Sequence, residues 1–204
     1  MSQRKSGYKL MPNDFFATPE WVTLNLLAEE KFDLEIVEPA CGQGHIINVL
    51  LAQGYDVVGI DIIQHSCVKF CTDFLKISIN LNTIICNPPY GKRLKLAQQF
   101  VEHALAVTKY DSGKIAMLLP VTFDSGKTRR HLFADCPAWK KKIILTDRIE
   151  WANIEKTNES STDHAWFIWD WSNENVPINT YQTIPKTTNK NKGNNYATPN
   201  IAIF

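Results

Sequence analysis

Three stretches of this 204-residue chain carry side chains and spacings suited to work on a ligand. The first is EPACGQG, residues 38 to 44, which follows an apolar run of strand length and leads into a segment with helical periodicity. Gly42 and Gly44 fall where the backbone must turn sharply beside a ligand, and a glycine turn that opens a helix is a cradle for a nucleotide-type group. The second is Asp61, at the end of the next apolar run, a carboxylate placed to accept hydrogen bonds from ribose hydroxyls. Position 47 is isoleucine where a dinucleotide fingerprint has its last glycine, which counts against NAD or FAD and favours adenosylmethionine. The third is NPPY, Asn87 to Tyr90, closing the apolar run TIIC. Methyl transfer to an aromatic amine needs the nitrogen lone pair turned out of conjugation, and acceptors on the amine do that. The Asn87 side-chain oxygen and the Pro88 carbonyl are two such acceptors, Pro88 and Pro89 hold the backbone rigid, and Tyr90 offers a face for an extruded base. A glycine turn and a proline loop with no role beyond folding are the competing readings.

These stretches form one site only if the fold brings them to one edge. Apolar runs recur at Leu34–Val37, Asp56–Ile60, Thr83–Cys86, Ile115–Leu119, Ile143–Ile149 and Ala165–Trp171. Helical periodicity lies between them at Trp21–Ala28, His45–Gln53 and Leu94–Val107, and that alternation predicts an α/β fold with a mostly parallel sheet. Ligands bind beyond the carboxyl ends of parallel strands, so all three stretches are predicted on the same edge. Thr18 reads as an N-cap with Pro19 at the first helical position, and Gly54 as a helix stop. The eleven residues between Asp61 and Asp73 predict a loop or short helical turn, being too few for an ordinary helix plus another strand.

At these residues the chain resembles the adenine-specific DNA methyltransferases of the class I S-adenosylmethionine-dependent family, especially the small kind carried by phages and prophages. FFATP at 15 to 19 is similar to the family's N-terminal motif and EPACGQG to its first motif. Asp61 is similar to its ribose-binding acid, DFL at 73 to 75 to its adenine-ring motif, and NPPY to its catalytic loop, all in the family's order. The resemblance implies a Rossmann-like methyltransferase fold, a mostly parallel seven-stranded sheet with helices on both faces, over residues 1–171 with an N-terminal arm at 1–14. It implies S-adenosylmethionine bound by Phe16, Thr18, Glu38, Pro39, Ala40, Cys41, Gly42, Gly44, Asp61, Ile62, Asp73, Phe74 and Asn87. Asn87, Pro88, Pro89 and Tyr90 would surround a flipped adenine of DNA, whose exocyclic amine takes the methyl group. One departure stands out, because members that read long sites carry a sizeable target-recognition domain. Here only the loops near 121–142 and 151–163 and the tail at 172–204 remain for that work, which implies a short or loose target. The tail is rich in Asn and Thr and reads as an extended arm or disordered.

Composition bounds the rest. The chain is 44% hydrophobic, enough for one full core, and no apolar run nears the roughly 20 residues that cross a bilayer, so a soluble, cytoplasmic protein is predicted. Five cysteines without a CxxC pair read as reduced thiols, and His65, Cys67 and Cys71 lack a fourth ligand, so no metal is predicted. Net charge is +1, but fifteen of the 22 basic residues fall in five groups that either converge on one face or lie scattered over solvated loops. Nucleic-acid contacts are assigned to Lys92, Arg93, Arg129, Arg130, Lys140, Lys141 and Lys142, with Trp139 beside the last three in a predicted loop. Trp166, Trp169 and Trp171 read as core. Two rivals remain open: methylation of an RNA adenine or a protein glutamine, and a methyltransferase-like module that binds nucleic acid without turnover. The glutamine enzymes usually carry a helical domain ahead of the cofactor motif, for which the 37 residues before Glu38 are too few.

Overall fold

The computed structural model describes residues 16–151 and 162–172. Seven strands form one sheet: β1 (Glu35–Glu38), β2 (Asp56–Asp61), β3 (Val68–Cys71), β4 (Thr83–Cys86), β5 (Lys114–Pro120), β6 (Trp139–Ile144) and β7 (His164–Asp170). Their order is β3-β2-β1-β4-β5-β7-β6, with β7 antiparallel to both neighbours and the other pairings parallel. The chain reverses between β1 and β4, and that switch point is where open α/β sheets bind ligands.

Side chains alternate across the sheet with period two. Ile84, Ile115, Met117 and Phe167 pack on one face beneath α3 (Lys95–Thr108), through Ala97, Phe100, Val101 and Ala104. Ile85, Ala116, Leu118 and Trp166 pack on the other face, against Val22 and Leu26 of α1 (Glu20–Glu29) and Ile46 and Leu50 of α2 (His45–Ala52). Helices therefore cover both faces. Gly54 follows α2 as expected, its N–H donating to the Leu51 carbonyl. No helix among the described residues is long and apolar enough to cross a membrane.

Three local expectations need correction. Pro19, not Thr18, is the residue that caps α1, and it does so without a side-chain bond. Thr18 is buried and uses its hydroxyl elsewhere, as described below. Between Asp61 and Asp73 the chain makes the expected loop but then adds β3, which pairs only with the last residues of β2, so the return path is short enough for six linking residues. The strand predicted at Ile143–Ile149 begins four residues earlier and ends at Ile144. Its lysines hid it, because an edge strand tolerates lysine, whose stem lies on the sheet while the ammonium reaches out. The arm before residue 15 and the tail after residue 172 lie outside the described residues.

Candidate functional site

The carboxyl ends of β1, β2 and β4 surround a cavity of about 510 Å³, within the usual range for a small-molecule site. Phe16 and Thr18 border it from the segment before α1; Glu38, Pro39, Ala40, Cys41 and Gly42 from the β1 end and its loop. Asp61 and Ile62 come from the β2 end, Asp73 and Phe74 from the turn after β3, and Asn87 from the β4 end. Gly44 does not border it. That glycine caps α2 at φ +83°, and a Cβ there would sit 3.0 Å from Cys67 Cβ and Sγ, so packing rather than ligand approach explains it.

Asp61 fastens the cradle. One carboxylate oxygen accepts the Gly42 N–H at 2.8 Å and the other accepts the Ile63 N–H at 2.9 Å. The Cys41 N–H reaches back to the Ile60 carbonyl at 3.1 Å, so the glycine loop is tied to β2 at two points. Each Asp61 oxygen keeps a second lone pair for a ligand hydroxyl. Beside it Ile62 is 62% exposed, an apolar side chain that presents its surface at the rim. Asp61→Ala is expected to weaken adenosylmethionine binding by about 1–3 kcal/mol, because an acceptor and the brace on Gly42 go together. Titration calorimetry checks this, and an unchanged affinity would remove Asp61 from the site.

Asn87 is oriented by its amide protons. Nδ2 donates to the Phe16 carbonyl at 3.3 Å and to Thr18 Oγ1 at 3.1 Å, which leaves the amide with an acceptor, Oδ1, to offer. Pro89 borders the cavity, while Pro88 and Tyr90 do not. The Tyr90 hydroxyl donates to the Leu118 carbonyl at 3.3 Å, and its ring neighbours Phe16 at 6.3 Å and His164 at 6.1 Å. Trp151 closes that ring cluster, 5.3 Å from both Phe16 and His164. Burial holds His164 down to about 4, so it is neutral at physiological pH, and burial pushes the Tyr90 phenol up.

Several cavity residues were not foreseen. Ile63 and His65 come from the β2–β3 loop, and Gln43 and His45 from the helix start. Leu96 and Phe100 stand four apart on α3, and that i, i+4 pair at the start of the helix that follows NPPY is the signal that marks them.

The predicted nucleic-acid contacts divide. Trp139 is fully buried in β6 against Phe133 and Trp169, at 4.9 and 5.3 Å, and presents no face to a nucleic acid. Lys140 pairs with Glu30 and Asp170, both at 3.1 Å, and Lys141 with Glu30 at 3.0 Å. Lys114, which opens β5, joins the same carboxylates, so this cluster lies at the sheet edge opposite the cavity. Lys142 pairs with Asp124. These three lysines staple β6 to the fold through carboxylates of this same chain. Arg130 pairs with Asp135 through two bonds, and Arg129 lies 4.5 Å over the Phe123 ring. Lys92 and Arg93 are exposed, form no ion pair among the described residues, and follow NPPY directly. They stand on a forced turn: Gly91, Arg93 and Leu94 all have positive φ, and a Cβ on Gly91 would meet Leu96 Cβ at 2.7 Å.

Comparison with solved structures agrees with this fold. A Listeria monocytogenes protein assigned to the class I S-adenosylmethionine-dependent methyltransferases superposes with a TM-score of 0.57 at 15% identity, over 83% of this chain and 65% of its own. This is the Rossmann-like methyltransferase fold. The chain thus spans slightly under two thirds of that relative's length. A Pyrococcus horikoshii protein assigned as an RNA methyltransferase gives 0.53 at 14% identity, over 74% of this chain and 80% of its own. A Vibrio vulnificus protein assigned as the modification subunit of a type I restriction enzyme gives 0.55 at 12%, over 78% of this chain and 45% of its own. No family model matches the sequence, and no match was found among curated proteins.

Proposed function

We propose that the chain is an S-adenosylmethionine-dependent methyltransferase acting on the exocyclic amine of adenine in DNA. The observation that carries this reading is Asn87, whose amide is fixed by Phe16 and Thr18 with its acceptor left over, on the cavity wall at the end of β4. The cavity fits the cofactor. It offers spare lone pairs on Asp61 for ribose hydroxyls, the exposed side chain of Ile62 for a flat ring, and a buried carboxyl at Glu38 for a cationic group. When bound there, adenosylmethionine supplies an electrophilic methyl group on a sulfonium.

Asn87 Oδ1 and the Pro88 carbonyl each accept one N–H of the target amine, which pulls its lone pair out of the ring and toward the methyl donor. The two prolines keep both acceptors in register. Phe16 touches both ends of this arrangement, bordering the cofactor cavity and neighbouring Tyr90. Lys92 and Arg93, beside the loop, are the basic residues best placed to hold the strand from which the base is extruded.

Tyr90→Phe is expected to keep most activity, losing only the bond to Leu118, whereas Tyr90→Ala loses roughly ten- to hundredfold in kcat/KM as a stacking surface disappears. If the phenylalanine variant were as inactive as the alanine one, the hydroxyl and not the ring would be the working group. The reading as a whole is tested by labelled methyl transfer to adenine-containing DNA and to a duplex of guanine and cytosine alone. Label is expected in the first only, and equal labelling of the second would overturn adenine as the target.

A further inference from the structure

Glu38 ends β1 with 2% of its surface exposed, yet it borders the cavity. Its carboxyl receives one backbone N–H, from Ile47 of α2, and Oε2 has no hydrogen-bond partner among the described residues. What faces it from other elements is Asp61 on β2, the Cys41 thiol on the glycine loop and the Cys86 thiol on β4. His45, His65 and Asp73 border the same cavity, and no lysine or arginine does among the described residues. Burial first, and then the neighbouring Asp61, hold the Glu38 carboxyl well above the usual carboxylate range, which favours its proton-bearing form while no cation lies beside it.

We propose that Glu38 gives up this proton when the cationic cofactor enters, so that adenosylmethionine binding releases one proton and leaves an ion pair inside the cavity. This rests on the cofactor part of the reading above and not on the choice of nucleic acid. The carboxyl O–H bond breaks with its electron pair left on oxygen, and the proton passes to solvent. The carboxylate then neutralises the ligand, which carries a sulfonium and an ammonium against a single carboxylate. A positive charge within about 4–6 Å favours the ionised form of an acid, which reverses the burial effect that holds the proton in the empty site. The sign follows from linkage. Affinity is weakest at low pH, where the proton must be displaced against excess acid. It rises about tenfold per pH unit above the ordinary carboxylate range and levels off where the carboxyl of the empty protein ionises by itself.

The test is titration calorimetry of the full chain with adenosylmethionine at about pH 6.5, below the range in which an α-amino group titrates (roughly 7.7–8.0), in buffers of different ionisation enthalpy. The wild type is expected to release close to one proton per ligand, and Glu38→Gln close to none while still binding. Difference infrared spectroscopy of the wild type alone gives a second readout, the loss of a protonated-carboxyl stretch on binding. Heats that do not depend on buffer, or the same proton count in Glu38→Gln, would overturn the inference, the second outcome moving the proton to His45 or His65. Binding without proton release removes this inference alone; absence of binding removes the cofactor reading with it.

Discussion

Asn87→Ala is expected to lower kcat by about 10²–10³-fold, the usual loss when one preorganised polar group leaves a transition state, while cofactor affinity falls by a smaller factor, since the two bonds that hold the Phe16–Thr18 segment go with the amide. The asymmetry follows from where the amide's bonds go. Its two protons are spent on Phe16 and Thr18, residues of the segment that closes the cavity before α1, and its oxygen remains for the target. Asn87→Asp separates the two tasks. It keeps an acceptor but removes both donors and sets a carboxylate against the Phe16 carbonyl, so it is expected to lose activity and to loosen cofactor binding as well. Single-turnover rates beside calorimetric titrations measure both effects. An alanine variant within about tenfold of wild-type turnover would show that the amine is oriented by something other than Asn87.

Trp139→Ala carries the largest expected effect on stability, about 3–5 kcal/mol, because a fully buried indole leaves a cavity among Phe133, Phe167 and Trp169. Trp139→Phe is expected to cost less. The indole N–H has no acceptor among the described residues, so its removal takes away an unsatisfied buried donor along with part of the ring. Urea unfolding followed by circular dichroism measures both. A midpoint that does not move in the alanine variant, together with weakened nucleic-acid binding, would return Trp139 to the surface role that its neighbouring lysines implied from sequence.

That tryptophan shows where sequence reading runs out. Strands buried on both faces are legible as continuous apolar runs, so β4 was found to the residue and β5 and β7 to within one. The edge strands obey a different rule. In β3 only Val68 is buried, and in β6 three lysines stand on the strand, because edges hold few core contacts and are free to carry charge. The same blindness hid the ion pairs of Lys140, Lys141 and Lys142, whose partners Glu30, Asp170 and Asp124 lie far off in sequence, so no local pattern reveals the pairing. The candidate cavity was more legible. Its residues come from strand ends and the turns that follow, which backbone geometry fixes locally, and topology alone brings them to one edge. His164 and Trp151 had no such signal, since a histidine beside the NPPY loop and one in an ordinary core look alike until the sheet order places β7 next to β5.

The most direct test of the central claim is to incubate the purified chain with methyl-labelled adenosylmethionine and, in parallel, DNA, RNA and protein, then digest each to its monomers and locate the label. The account predicts label in deoxyadenosine methylated at its exocyclic amine, and its loss with Asn87→Ala. Label confined to RNA nucleosides or to glutamine would contradict it.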